Sequence, residues 1–230
     1  MERVPEPELM LSEAQARAYA HADFAQPHSR YVELFASKFP DRPARATVLD
    51  LGCGACDVTI RFALANPGYR FDAVDGSPAM LKYARRAIAA HGLGRRIRVI
   101  HGVIPAARLP RKSYDVVLCT SFLHHLHDPS VLWSLVRRYA RPGAIVFVAD
   151  LKRPASTAAA RRLVEKYSAD EPAILKRDFF NSLCAAFTPA EVRAQLRTAG
   201  LSELDVEVIS DRHLLVCGVL GVARSGVRAS

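Results

Sequence analysis

Two glycines one residue apart, set between an apolar run and a helix-forming stretch, constrain this chain more than any other feature. In Val48-Leu49-Asp50-Leu51-Gly52-Cys53-Gly54-Ala55-Cys56-Asp57 the apolar run reads as a strand, the glycines as a turn and the residues after them as a helix. Lacking a Cβ, Gly52 and Gly54 let the backbone take positive φ and let a ligand come close. The amides that open the next helix then face a polar or anionic group. Residues 69–74 read as a second strand, closed by Asp75. A glycine turn after one strand and an acid closing the next is the arrangement that holds a ribose in doubly wound sheets.

Strand and helix signals go on alternating. Apolar, β-rich runs predict strands over 47–50, 70–74, 97–101, 113–119 and 144–149. Helical segments stand between them: one over 56–65, one capped by Ser77 with Pro78 at its first position and ended by Gly92 and Gly94, and one over 128–140. Asn66-Pro67-Gly68 and Arg141-Pro142-Gly143 read as turns. Beyond Pro154 come helices over 155–167 and 170–187, then Thr188-Pro189-Ala190-Glu191, a capping box that opens a helix ending at Gly200. Strands over 203–209 and 213–219, joined by Ser210-Asp211-Arg212, form a closing hairpin. The expected fold class is α/β: a doubly wound, seven-stranded, mostly parallel sheet of Rossmann-like type with a terminal antiparallel hairpin strand. Ahead of it, residues 8–24 and 29–39 read as two helices interrupted at Pro27. The expected organisation is a helical lid over 1–44, the sheet domain over 45–220 and a fraying tail over 221–230. A helical insertion at about 154–187 hangs over the carboxyl ends of the strands, where ligands bind in such sheets.

Composition narrows the classes. A length of 230 residues suffices for one well-buried domain, and 50% hydrophobic with 24% charged residues is the balance of a soluble globular chain. The formal net charge of +9 raises nucleic acid as a partner. Yet the pairs Arg85-Arg86, Arg95-Arg96, Arg137-Arg138 and Arg161-Arg162 are scattered, with no basic run and no interleaved aromatics, which favours a solvated surface. Five cysteines are an odd, dispersed set; Cys53 and Cys56 make a CxxC spacing with no second pair to complete a zinc site. They read as small turn residues, with a redox pair as the alternative. Neither a secretory pattern nor an apolar run of membrane-spanning length is present, so a reducing, cytoplasmic setting is expected. Monomer and homodimer both stay open.

Four pieces, taken together in their order and spacing, carry a resemblance. They are the glycine turn, Ala73-Val74-Asp75-Gly76-Ser77, Tyr114-Asp115-Val116-Val117-Leu118-Cys119-Thr120-Ser121 and Arg141-Pro142-Gly143-Ala144. From about Thr47 to Val219 the chain resembles class I S-adenosylmethionine-dependent methyltransferases of the small-molecule type. The resemblance implies S-adenosylmethionine as cofactor, S-adenosylhomocysteine as product and a small or mid-sized metabolite as acceptor, through O, N, S or C. It implies that Asp75 accepts the ribose hydroxyls and that Asp50 supports the ammonium of the amino-acid tail, with Tyr31 a further candidate for the tail. Gly52, Cys53 and Gly54 leave room for sugar and tail. Gly76, Ser77 and Met80 flank the adenine, Gly102, Val103 and Ile104 read it through the backbone, and Thr120 and Ser121 edge the sulfonium. Two departures stand out: Cys56 replaces a frequent third glycine, and Val103-Ile104 follow His101-Gly102 where an acid often bonds the adenine amino group.

A base is needed only where the acceptor must lose a proton. His124 and His125, in Ser121-Phe122-Leu123-His124-His125-Leu126-His127-Asp128, are the candidates, because histidine titrates near neutral pH. No carboxylate at a recognisable spacing completes a metal set with them, so no metal is expected. Tyr19, His28, Arg153, Phe179 and Phe180, from the two helical segments, are candidates for the acceptor pocket. The Asp-Pro-Pro-Tyr and Asn-Pro-Pro-Tyr runs that accompany methylation of amino groups on bases or glutamine are absent, which argues against a nucleic-acid acceptor. Two other readings share the same residues: a non-catalytic adenosylmethionine- or partner-binding protein, and a nicotinamide dehydrogenase. The second is opposed by Asp57 where its third glycine would fall and by the terminal hairpin.

Overall fold

The structure, a computed structural model, describes residues 1–221, so the expected tail over 222–230 lies outside the described residues. Seven strands form one sheet: β1 (Ala46–Leu51), β2 (Tyr69–Asp75), β3 (Ile97–His101), β4 (Tyr114–Thr120), β5 (Ala140–Leu151), β6 (Asp205–Val208) and β7 (His213–Val219). Their order is β3-β2-β1-β4-β5-β7-β6, with β7 antiparallel between β5 and β6 and the other contacts of the first five strands parallel. The winding reverses between β1 and β4. That switch point opens a crevice at the carboxyl ends of the strands, the place where open α/β sheets bind ligands.

Strand chemistry follows from burial on both faces. The centres of β1, β4 and β5 are almost uninterrupted apolar runs, as parallel strands sandwiched by helices require. Helices α2 (Ala25–Lys38), α3 (Asp57–Ala65) and α4 (Pro78–Ala90) cover one face, where Phe35, Phe62 and Phe147 meet with ring centroids 5.2–5.9 Å apart. Helices α5 (Ser130–Tyr139) and α8 (Pro189–Thr198) cover the other, and the Trp133 indole N–H there donates to Gln195 at 3.0 Å. The predicted caps are present: Ser77 accepts from Met80 N at the head of α4, and Thr188 with Glu191 forms the capping box of α8. Helices α6 (Thr157–Ser168) and α7 (Ala173–Ala185) occupy the insertion after β5. No described helix is long and apolar enough to cross a membrane.

Two expectations are corrected. The first helix, α1, covers only Glu13–His21, capped by Ser12, and the break before α2 falls at Ala22–Phe24 rather than at Pro27. Pro27 lies in the first turn of α2, where a missing N–H removes no intrahelical bond. The Arg141-Pro142-Gly143 segment is a kink within β5 rather than a turn before it: Tyr114 pairs with Ala140, the register shifts, and the strand resumes at Ile145 opposite Val116. Residues ahead of α1 are not helical, and reach Cys184, Ala185, His127 and Ser77 through hydrogen bonds.

Phe147 is fully buried between two other rings, so Phe147→Ala is expected to destabilise the fold by about 3–5 kcal/mol. Chemical denaturation measures this as a lower midpoint at unchanged slope.

Candidate active site

The glycine turn is built by hydrogen bonds from the end of β2. Gly52 (φ 74°) and Gly54 (φ 53°) both lie in the left-handed region, and the amides of Gly52 and Cys53 donate to Val74 O at 2.9 and 3.0 Å. The Asp75 carboxylate then accepts Gly54 N–H on one oxygen and Ser77 N–H on the other, each at 2.8 Å. Burial raises the Asp75 carboxyl above its ordinary value, and these two amides oppose the rise. Cys56 also adopts positive φ (64°), so the residue standing in for a third glycine keeps a glycine-like backbone. Its buried thiol hydrogen-bonds Cys53, which pushes the Cys53 thiol well up, and both cysteines are free.

Asp50 is more deeply placed. It is 1% exposed, Thr59 Oγ1 donates to its Oδ2 at 2.5 Å, and its Oδ1 is buried with no partner. Burial pushes this carboxyl up to about 7 against the opposing Thr59 bond. An unpartnered, buried carboxylate oxygen beside a glycine turn is an acceptor for a cationic group.

The adenine-side candidates cluster around the head of α4. Met80 reaches toward Gly54, Val103 lies beside Gly76, and Gly102 N–H donates to Asp75 O at 3.0 Å. Leu9 and Met10 lie across this edge. A Cβ on Gly76 would meet the Leu9 side chain at 2.7 Å, and Ser77 Oγ donates to Met10 O at 2.5 Å. Phe122 packs directly over Gly52. Thr120 ends β4 buried, Ser121 has φ 51° with its amide on Ala149 O, and the Tyr31 hydroxyl hydrogen-bonds Ser121.

At the other end of the crevice a 3₁₀ turn, Leu123–His125, presents two imidazoles. His124 is 3% exposed; its Nδ1 pairs with Asp150 Oδ1 at 2.5 Å, and its backbone N–H donates to Asp150 Oδ2 at 3.2 Å. Its Nε2 lies 3.4 Å from Glu6 Oε1. Burial disfavours the imidazolium, but Asp150 and Glu6 outweigh it and raise the His124 pKa. Burial and the neighbouring His124 push His125 down to about 3. One His124 nitrogen is thus held in an ion pair, and His125 stays neutral at physiological pH.

The remaining candidates divide. Tyr19 and His28 stand on α1 and α2, but His28 Nδ1 is bound to Asp57 at the head of α3 at 2.6 Å. Arg153 is 9% exposed and engaged by Glu191 at 2.5 Å and Ala186 O at 3.1 Å, which makes it a tie between β5 and α8. Phe179 and Phe180 pack with Leu151, Ala160, Leu183 and Ala186 inside the insertion. Sequence reasoning missed Asp150 and Glu6. Asp150 carried a signal, since it closes the apolar run of β5 as Asp75 closes β2; Glu6 carried none, lying 118 residues from His124 in sequence (124 less 6).

Known proteins similar in sequence and fold are methyltransferases. Residues 49–146 match the family described as methyltransferase domain. Over 170 residues the chain is 30% identical to the ubiquinone biosynthesis O-methyltransferase of Xanthomonas axonopodis pv. citri (strain 306), covering 71% of this chain and 66% of that protein. A protein of the same name from Bordetella pertussis (strain Tohama I / ATCC BAA-589 / NCTC 13251) is 33% identical over 109 residues, 46% of this chain and 43% of its own length. The solved structure of a SAM-dependent methyltransferase from Aquifex aeolicus superposes with a TM-score of 0.65 at 18% identity, covering 91% and 98% of the two chains. The matched domain and the shared fold are those of S-adenosylmethionine-dependent methyltransferases. The chain spans just under two thirds of the length of the first of these O-methyltransferases. A further structure of the same fold, the plantazolicin methyltransferase BpumL with SAH, superposes at a TM-score of 0.61 and 15% identity, covering 89% and 94% of the two chains. The residues of this chain fit the cofactor of S-adenosylmethionine-dependent methyltransferases: the unpartnered Asp50 oxygen suits the tail ammonium, and the Asp75 carboxylate beside two positive-φ glycines suits the ribose diol.

Asp150→Asn is expected to lower the His124 pKa, because the imidazolium loses its nearest anion. Histidine proton shifts followed by NMR across a pH series read this directly.

Proposed function

We propose that this chain transfers the methyl group of S-adenosylmethionine to a hydroxyl oxygen of a small-molecule acceptor. The observation that carries the reading is the pairing of a buried, unpartnered Asp50 oxygen with the amide-held Asp75 carboxylate on neighbouring strands, at the switch point of the sheet. Oxygen as the accepting atom is supported by the curated relatives, which are ubiquinone biosynthesis O-methyltransferases.

When bound, the cofactor supplies an activated methyl group on a sulfonium. The protein's part is placement. Asp75 holds the ribose hydroxyls through lone pairs that the Gly54 and Ser77 amides leave free. Asp50 holds the ammonium on its open oxygen while Thr59 keeps the other in place. Thr120 and Ser121 border the reacting centre, and alignment of acceptor and methyl there supplies much of the rate. The acceptor lies toward His124, His125 and Glu6, and its hydroxyl proton leaves in that direction. For the adenine to seat, Leu9 and Met10 shift from Gly76 and Ser77.

Asp75→Ala is expected to weaken adenosylhomocysteine binding at least roughly tenfold in isothermal titration. Unchanged affinity would remove the site from contention. A second expectation concerns pH. Asp50 has its carboxyl raised to about 7 by burial, and a ligand ammonium favours the ionised form, so affinity rises as pH climbs through that value. Asp50→Asn flattens the dependence. Turnover is tested with labelled S-adenosylmethionine and a panel of phenols and catechols, by mass shift of the acceptor.

A further inference from the structure

We propose that Glu6, His124 and His125 together bind one divalent first-row transition ion at the acceptor end of the crevice. One carboxylate oxygen and one nitrogen from each ring lie within 4.8 Å of one another, the only such group among the described residues. Glu6 Oε1 is 3.4 Å from His124 Nε2 and 3.3 Å from His125 Nδ1. Ligands around an ion at about 2.0–2.2 Å stand some 3–3.5 Å apart, so these spacings need little movement.

The chemistry of the donor atoms points the same way. The His125 Nδ1 is buried without a hydrogen-bond partner, 3.3 Å from Glu6 Oε1. A buried ring nitrogen and a carboxylate oxygen thus lie side by side with no hydrogen bond between them, a gap that a cation would satisfy. His124 has its Nδ1–H on Asp150, leaving Nε2 as the coordinating atom. A ligating histidine whose other nitrogen donates to a carboxylate is the usual support of a metal site. Ser182 Oγ donates to Glu6 at 2.9 Å and orients that carboxylate in turn. Charge agrees once the ion has displaced the His124 proton: Glu6 and Asp150 then carry two negative charges, matching a divalent ion. The Arg3 guanidinium close by points away, bound to the carbonyls of His124, Leu126 and Ala185. Two imidazoles and one carboxylate with open positions select first-row transition ions over magnesium or calcium.

Loading the site releases to solvent whatever protons His124 Nε2 and Glu6 carry. The ion's open positions face the acceptor, so an acceptor hydroxyl bound there loses its proton more easily. This role rests on the methyl-transfer reading; the site itself does not.

The test uses the untagged full chain, stripped with chelator and titrated with cobalt(II) chloride. Uptake is read by visible d–d absorption and elemental analysis. One equivalent is expected, with apparent affinity at least roughly tenfold weaker in Glu6→Gln and His125→Ala, and about 10–100-fold weaker in Asp150→Asn. Circular dichroism checks each variant's fold, and Glu6→Gln keeps the test decisive if His125→Ala does not fold. No saturable uptake up to millimolar cobalt, or uptake indifferent to Glu6→Gln, overturns the proposal. So does a thiolate-to-cobalt charge-transfer band, which would place the ion on Cys53 and Cys56. Adenosylhomocysteine binding by the unaltered chain is measured separately; its absence would sink the methyl-transfer reading while leaving the ion's uptake as found.

Discussion

The Asp75 carboxylate, gripped by the amides of Gly54 and Ser77, is the contact on which the site's geometry depends. It fastens the end of β2 to the glycine turn after β1 and to the first turn of α4. Amide bonds to an ionised carboxylate are among the stronger hydrogen bonds a protein makes. Because both amides belong to backbone, the anion's position is set by the chain's path rather than by rotamers. The ribose therefore meets a preformed acceptor, and little ordering is left for binding to accomplish.

Three acids stand at the tips of nearby strands: Asp75 on β2, half-buried, then Asp50 on β1 and Asp150 on β5, both buried. They are handled differently. Backbone amides moderate the first, a single hydroxyl leaves the second with one oxygen free, and an imidazolium holds the third below its ordinary value despite burial. The result is a negative floor inside a chain whose net charge is positive. A ligand carrying a sulfonium and an ammonium suits that floor, while the scattered arginine pairs belong to the exterior.

What could be read from sequence was what neighbours in sequence decide. Strand runs, the Ser77 cap, the Thr188 capping box and the glycine turn are local patterns, and each recurs in the structure. The Pro27 error came from treating proline as a breaker without asking whether its amide had a partner to lose. The kink at Arg141–Gly143 was hidden because turn chemistry and a strand bulge draw on the same residues. Arg153 looked like a binding cation, yet its partner Glu191 sits 38 residues further along, where spacing is silent. Glu6 is the extreme case, since only the folded sheet brings residue 6 to the turn after β4.

The extended segment ahead of α1 has a bearing on how the protein is made. Val4 N–H donates to Cys184 O, and the Arg3 guanidinium reaches Ala185 O, so these contacts join residues some 180 positions apart. At ordinary rates of translation, residue 185 emerges about 10–40 s after residue 3. Through that interval residues 3–10 have no partner on α7, and closure of loops this long is among the slower steps available to a folding chain. The acceptor end is thus walled in by residues 3–6 only once α7 has been made.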